Sequence, residues 1–327
     1  MQDTNLRNQQ ILNQLAPRQK EYNFSISLNS DLHPMQVNIN MNRKIYNHKI
    51  MNIIISNDTD LESNGRMREC LKFWIRFCIE LEERYERSFL LRFYCDDRGK
   101  RDCLSMDSEF DDNLIPDEYS MRYNYKKRYR SQVISISEFS KQWLKRKHTI
   151  FWRGSTTGGG SLKSIKDVSN LMRVKVCKQF RDTKGFDFRI SKIVQEYIPK
   201  KLIRNYLQEN NILGRQVLEY KFASFCYYLD IPGNALSWGT IRKHMVGNLV
   251  FRADYKRKLF YYKLMEPWKH YIPIDEDFSD LNEKFLWAEG NPNKAAEIAW
   301  NGYKIAHQYI KDIPEHFINT ALQNIES

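Results

Sequence analysis

Apolar residues recur at three- and four-residue spacing over residues 63–87. Met67, Cys70, Leu71, Trp74, Phe77, Cys78 and Leu81 form one stripe, and acidic and basic residues fill the other face, which predicts an amphipathic helix. Continuous apolar runs at 50–56 and 88–95 predict buried strands, the second ending in the turn Asp96-Asp97-Arg98-Gly99. Residues 1–45 are polar, rich in asparagine and weakly specified. The acidic stretch 107–118 (Asp107, Glu109, Asp111, Asp112, Asp117, Glu118) and the basic, tyrosine-rich stretch 122–130 predict a solvated loop. Then follow a helix at 137–146, a strand at 148–153, a glycine-rich turn and a helix at 162–180. The rest of the chain predicts strands at 190–197, 217–222, 247–252 and 270–274. Between and after them it predicts helices at 199–210, 233–246, 255–265, 278–289 and 292–312. This alternation predicts an α/β fold in two domains, with a boundary near residue 145.

Composition narrows the class. Of 327 residues, 42% are hydrophobic and 13% aromatic, which is a packed globular composition. The formal net charge of +12 favours anionic partners: phosphorylated ligands or an acidic membrane surface. The cations are dispersed and no nucleic-acid signature accompanies them, so no nucleic-acid partner is expected. Six cysteines without a CxxC pair read as buried thiols of a reducing compartment. Residues 1–25 carry Asp3, Arg7, Arg18 and Lys20 without an apolar core. No run of 18 apolar residues occurs anywhere, so neither a secretory leader nor a spanning helix is expected. These features point to a cytoplasmic protein.

The strongest chemical signal is Phe151-Trp152-Arg153-Gly154-Ser155-Thr156-Thr157-Gly158-Gly159-Gly160. Glycines let backbone N–H groups approach a ligand, the hydroxyls donate, and a following helix presents its positive end. Arg153 can grip a phosphate bidentately. The pattern suits a diphosphate, although a plain strand-to-helix turn has the same composition, and it matches neither a Walker loop nor GxGxxG. A second signal is Asp230-Ile-Pro-Gly233-Asn234-Ala-Leu-Ser237-Trp238-Gly239, read as a helix start. A third is Glu266-Pro-Trp-Lys-His270-Tyr271-Ile-Pro-Ile274, whose rings and histidine suit a sugar or base, or simply a packed loop. Asp96 and Asp97 stand at a strand's carboxyl end, beyond which ligands sit in open α/β sheets; a carboxylate there can act as a general base, or simply satisfy the N–H groups of the turn. The seven histidines never show ligand spacing, so no metal site is expected.

The order of these motifs resembles glycosyltransferase family 90. The matching pieces are Phe151–Gly158, Glu219-Tyr-Lys221, Gly233 with Ser237-Trp238, Gly247–Phe251, Glu266–Ile274 and Phe278-Ser-Asp-Leu281. The resemblance implies a GT-B fold of two Rossmann-like domains facing across a cleft. It implies an acceptor-binding domain over 1–145, a UDP-sugar-binding domain over 146–305 and a final helix, 306–327, packing back on the first. It also implies inverting, metal-independent transfer without a cofactor, with Asp96 or Asp97 as base. Arg153, Gly154, Ser155, Thr156, Thr157, Gly158, Lys221, Gly233, Asn234, Ser237, Trp238, Lys243, His270 and Tyr271 would line the donor site. Some relatives carry an arginine where Gly239 stands and a glutamate where Leu259 stands, which leaves the sugar open. The expected acceptor is a glycan or lipid-linked oligosaccharide such as the lipopolysaccharide core, reached at the inner face of an anionic membrane. A protein acceptor and a non-catalytic binder of the same fold are the alternatives.

Overall fold

The computed structural model describes residues 2–15, 22–43, 49–125 and 133–325. The chain divides into two compact units. The first comprises Met1–Lys127, Arg257–Phe260 and Ile310–Ser327, and the second Arg128–Lys256 and Tyr261–Tyr309. Strands and helices are numbered along the whole chain.

In the first unit, helix α1 (Gln2–Leu15) precedes the strands β1 (Tyr22–Asn29), β2 (Gln36–Arg43) and β3 (Lys49–Ser56). After α2 (Gly65–Tyr85) come β4 (Phe89–Tyr94) and the short β5 (Leu104–Ser105) and β6 (Asp107–Ser108). The sheet order is β1-β3-β2-β4-β5. β1–β3 and β4–β5 are parallel, whereas β2 runs antiparallel to both neighbours, so this sheet is mixed. Residues 2–15 and 22–43, expected to be weakly specified, thus form a helix and two strands. In β2, Val37, Ile39 and Met41 are wholly buried while asparagines stand between them, the period-two pattern of a half-buried strand. The asparagine content hid that alternation.

Helix α2 forms where its apolar stripe predicts it. Asn64 caps it by accepting from the Met67 N–H, and its buried face covers the sheet. Trp74 stacks on Phe93 with ring centroids 4.5 Å apart, and Phe317 of α11 (Ile313–Gln323) packs against both Phe77 and Phe93.

The acidic stretch is not a solvated loop. Glu109, Asp111 and Asp112 are exposed, but Asp107, Asp117 and Glu118 are buried. Asp107 lies in β6, which pairs with β11 (Lys258–Leu259), and Arg257 binds its carboxylate at 2.6 Å. Asp117 accepts from the backbone N–H and the hydroxyl of Ser120, fixing the start of α3 (Glu118–Tyr125), and Glu118 pairs with Arg122. Each buried charge thus has a partner, which spacing along the chain does not reveal. Of the basic stretch that follows, residues 126–130 lie outside the described residues.

In the second unit, α4 (Ile136–Trp143) leads into β7 (Lys147–Ser155), α5 (Ile165–Asn170), α6 (Met172–Gln179), β8 (Phe186–Lys192) and α7 (Lys200–Glu209). Then come β9 (Phe225–Leu229), α8 (Thr240–Met245), β10 (Leu249–Ala253), β12 (Ile272–Ile274), α9 (Leu281–Gly290) and α10 (Pro292–Lys311). The sheet order is β12-β10-β9-β7-β8, and every pairing is parallel. Runs such as Ile150-Phe151-Trp152 and Leu249-Val250-Phe251 are buried throughout, as expected of strands covered on both faces.

Several elements differ from their predicted form. The helix expected over 162–180 breaks at Leu171. The strand expected at 190–197 lies earlier, at 186–192. Residues 219–224 form a 3-10 turn, and the strand is the aromatic run after it, β9. The helix expected at 255–265 is a two-residue strand and a 3-10 turn, because Tyr261 and Tyr262 both turn inward, against Tyr309 and Arg252. The helix expected from 233 starts only at Thr240.

Burial pushes the Asp117 carboxyl up to about 6, partly opposed by its bonds to Ser120. Its ionised form therefore costs stability in the folded state. That cost is absent below the ordinary carboxylate range, grows as pH rises through about 6, and is full above it. Asp117→Asn, compared with the parent by thermal unfolding, should gain relative stability between pH 4 and pH 7 by on the order of 2 kcal/mol. A difference independent of pH would show that Asp117 carries no such penalty.

Candidate functional site

In the second unit β7 stands between β8 and β9. The chain runs from β7 to β8 on one side and later builds β9, β10 and β12 on the other. Connections leaving β7 and β9 therefore diverge, and such a switch in strand order opens a crevice beyond the carboxyl ends. Two loops rim it: 156–164 after β7 and 230–239 after β9. They touch directly. The Gly158 N–H donates to the Asn234 side-chain oxygen at 2.9 Å, with Gly158 at φ +107°. A Cβ on Gly233 would lie 2.6 Å from the Thr157 hydroxyl, so only glycine permits this approach.

Arg173, in the first turn of α6, joins the two loops from beneath. Its Nη1 donates to the Thr157 hydroxyl at 2.6 Å and to the Ser155 carbonyl at 3.2 Å. Its Nε and Nη2 donate to the carbonyls of Pro232 and Ile231 at 2.9 and 3.0 Å. The side chain is buried, and burial lowers its pKa against the pull of Tyr228 and Asp230. Among the described residues no carboxylate hydrogen-bonds to it, and Asp230 acts on it only through space, so a positive charge without a direct counter-ion sits under two glycine turns.

The residues expected at the donor site divide into two groups. Ser155, Thr157, Gly158, Gly233 and Asn234 come together around Arg173. Arg153 does not join them: its guanidinium lies over the Phe151 ring and bonds to Asp187 at 2.7 Å and to the Trp152 and Asp187 carbonyls. Gly154 makes room for the Trp152 ring, which a Cβ would meet at 2.2 Å. Thr156 is buried, and its hydroxyl exchanges bonds with the Val194 backbone. Lys221 is exposed on the 3-10 turn. Neither following helix presents a strong positive end to these turns: α5 and α8 have six residues each, α5 is capped by Ser164 beyond the glycines, and α8 opens at Gly239 rather than at Gly233.

Behind the 230–239 loop lies a buried polar cluster. Asp230 accepts from the Thr240 hydroxyl at 2.7 Å and from Tyr262 at 3.1 Å, and burial raises its pKa against these bonds and the nearby Arg252 charge. The Arg252 guanidinium is clamped between the rings of Tyr262 and Tyr271, 3.8 Å from each centroid. Lys243 lies over Phe222, with burial drawing its ammonium down to about 8. The His270 Nδ1 accepts from the Glu266 N–H. Ser237 bonds to the buried Tyr228, and Trp238 is buried. Sequence reasoning missed Arg173, Asp230 and Arg252. Asp230 opened a quoted motif, but Arg173 and Arg252 are two cations among 52 with no local signature.

The two candidate bases lie in the first unit, after β4. Asp97 is held by the Arg66 Nη1 at 2.6 Å, which engages one carboxylate oxygen. Asp96 spends an oxygen on the Asp97 N–H at 2.7 Å, the local bond of a turn aspartate. Among the described residues no group of three His, Cys, Asp or Glu side chains could hold a metal ion. No described helix is long and apolar enough to cross a membrane.

Replacing Arg173 by Met keeps its bulk and removes every loop contact. The Ser155 and Ile231 carbonyls then lose charged donors, and stability should fall by about 2–4 kcal/mol in urea unfolding. A loss below about 0.5 kcal/mol would show that the loops hold each other without it.

Comparison with known proteins places these loops in a wider set. Residues 105–314, well over half of the chain, match the family model for glycosyl transferase family 90. Human protein O-glucosyltransferase 3 is 30% identical over 92 residues, 28% of this chain and 18% of that protein. Rat protein O-glucosyltransferase 1 is 33% identical over 95 residues, 28% of this chain and 24% of that protein. The uncharacterized protein 179R of Invertebrate iridescent virus 6 is 24% identical over 194 residues, 54% of this chain and 16% of that protein. The aligned stretch thus spans less than a quarter of each of these relatives. With the family match extending over both loops of the crevice, the chain belongs to glycosyl transferase family 90.

Proposed function

We propose that this chain transfers a hexose or pentose, of the glucose, galactose or xylose class, from a UDP-sugar to an acceptor hydroxyl. The observation that carries this reading is the buried guanidinium of Arg173, without a carboxylate partner, beneath the glycine turns at the β7–β9 crevice. Such a charge suits a diphosphate, whose leaving oxygen gains negative charge as the sugar departs. Arg173 and the hydroxyls of Ser155 and Thr157 would hold it, and Arg252 and Lys243 would add positive field from behind the second loop. The second unit would then be the donor half and the first the acceptor half of a GT-B arrangement.

Asp97 is the better base. Arg66 holds one of its oxygens at 2.6 Å, against 3.8 Å to Asp96, and the other Asp97 oxygen would receive an incoming hydroxyl. That oxygen takes the hydroxyl proton, the acceptor oxygen attacks the anomeric carbon from the face opposite UDP, and the bond to UDP breaks, with inversion. Charge on the leaving group is met by Arg173 and its surroundings, and the reaction would run without a metal. We favour a glycan or lipid-linked acceptor at the inner face of a membrane, where the +12 charge draws the protein towards anionic lipid. A protein hydroxyl is the second reading, favoured by the names of the relatives, protein O-glucosyltransferases.

UDP should raise the unfolding temperature, and one UDP-sugar should release UDP slowly in water, with or without EDTA. Asp97→Asn should keep the UDP shift and lose transfer by about 10²-fold or more, whereas Asp96→Asn should stay within about tenfold of the parent. A reversed ranking would move the base to Asp96. No response to any UDP compound would sink the donor-site reading.

A further inference from the structure

The first unit contains a cavity of about 1060 Å³ that the donor chemistry does not use. It lies along the outer face of α2. Arg68, Lys72 and Arg76 follow one another there at four-residue spacing, so their side chains stand about 6 Å apart on one face. Phe73 and Ile79 give it an apolar floor, and Arg122 and Tyr125 of α3 supply the facing wall. Its one lining carboxylate, Glu69, is already paired with Lys72, and Arg122 is paired with Glu118. Arg68 and Arg76 carry no salt bridge among the described residues, and Arg76 lies 5.8 Å over the Tyr125 ring.

Two guanidinium groups without carboxylate partners, set beside an aromatic ring and an apolar floor, are a recognition chemistry. Guanidinium forks match the paired oxygens of phosphate or carboxylate, and rings pack on the apolar faces of sugars. The volume is at the upper end for small-molecule pockets and admits several sugar units. The cations line a concavity rather than a flat face, which favours a discrete chain over a bilayer surface. One lining residue, Gly65, precedes in sequence Arg66, the residue that holds Asp97.

We propose that this cavity is an acceptor subsite for an anionic glycan, one bearing a phosphate or uronate group. The proposal rests on the reading of the first unit as the acceptor half. Under it, Arg68 and Arg76 bind the charged group, while the sugar chain lies over Phe73 and Tyr125.

The test uses the full chain and calorimetric titration with mannopentaose carrying one 6-phosphate, against neutral mannopentaose, in 0.15 M salt. The phosphorylated sugar should bind at least tenfold more tightly. Arg68→Gln/Arg76→Gln, whose side chains lie partly or wholly in solvent, should erase most of that preference while the UDP thermal shift reports an intact fold. Equal binding of the two sugars, or a preference that survives in the double variant, would overturn the proposal. So would tighter binding of phosphatidylglycerol vesicles or of a 12-nucleotide RNA with the same dependence on Arg68 and Arg76. The UDP response of the parent protein reports separately on the transferase reading. If that response is absent while the glycan preference holds, the transferase reading fails and the cavity remains an anionic-glycan site.

Discussion

A single buried guanidinium organises the crevice of the second unit. Arg173 gathers two carbonyls from the loop after β9, and one carbonyl and one hydroxyl from the loop after β7. Neither loop has a long helix behind it to hold its shape, and both contain glycines whose freedom would otherwise be costly to freeze. Charged hydrogen bonds are stronger than neutral ones, so one side chain can order both turns. The cost is a cation out of water. It is offset by these dipoles and, through space, by the Asp230 carboxylate.

The sheet beneath makes this arrangement possible. Because β7 has later strands on both sides, its loop and that of β9 share one crevice without sharing a helix. The aromatic residues of β7 then divide their work. Phe151 takes the guanidinium of Arg153, and Trp152 folds over Gly154 on the side where Arg173 approaches, 5.5 Å from its ring. Adjacent strand residues point to opposite faces, which commits Arg153 to the side of Phe151, while Arg173 reaches the loops from α6.

In the first unit, α2 serves three purposes by its period alone. One stripe is the core against Phe93 and Phe317, the amino-terminal turn carries Arg66 to Asp97, and the outer face carries cations one turn apart. The buried acidic residues nearby form a second layer of order. Asp107 ties β6 to the 257–260 segment through Arg257, and Asp117 fixes α3. The first joins residues far apart in sequence, and its arginine also donates to the Asp97 carbonyl at 3.3 Å, whereas the second is a tight helix cap.

The amino-acid sequence by itself determined the α/β class, the amphipathic α2, the strands that run up to the Asp96 turn and into the 154–160 glycine turn, and the glycine turns themselves. These depend on periodicity and on backbone freedom, which are local properties. Strand β2 was legible too, in the alternation of Val37, Ile39 and Met41 with asparagine, but composition masked the pattern. Only the tertiary structure decided which arginine serves the crevice, which acidic residues are buried, and where the helices after the glycine turns begin. Arg153 lies within the motif, and Arg173 stands twenty residues further along the chain. The strand's alternation sends the first to Asp187, and the packing of α6 brings the second under Thr157 and Gly233. A buried charge finds its partners through distances across the fold, and those distances are not written in the spacing of residues along the chain.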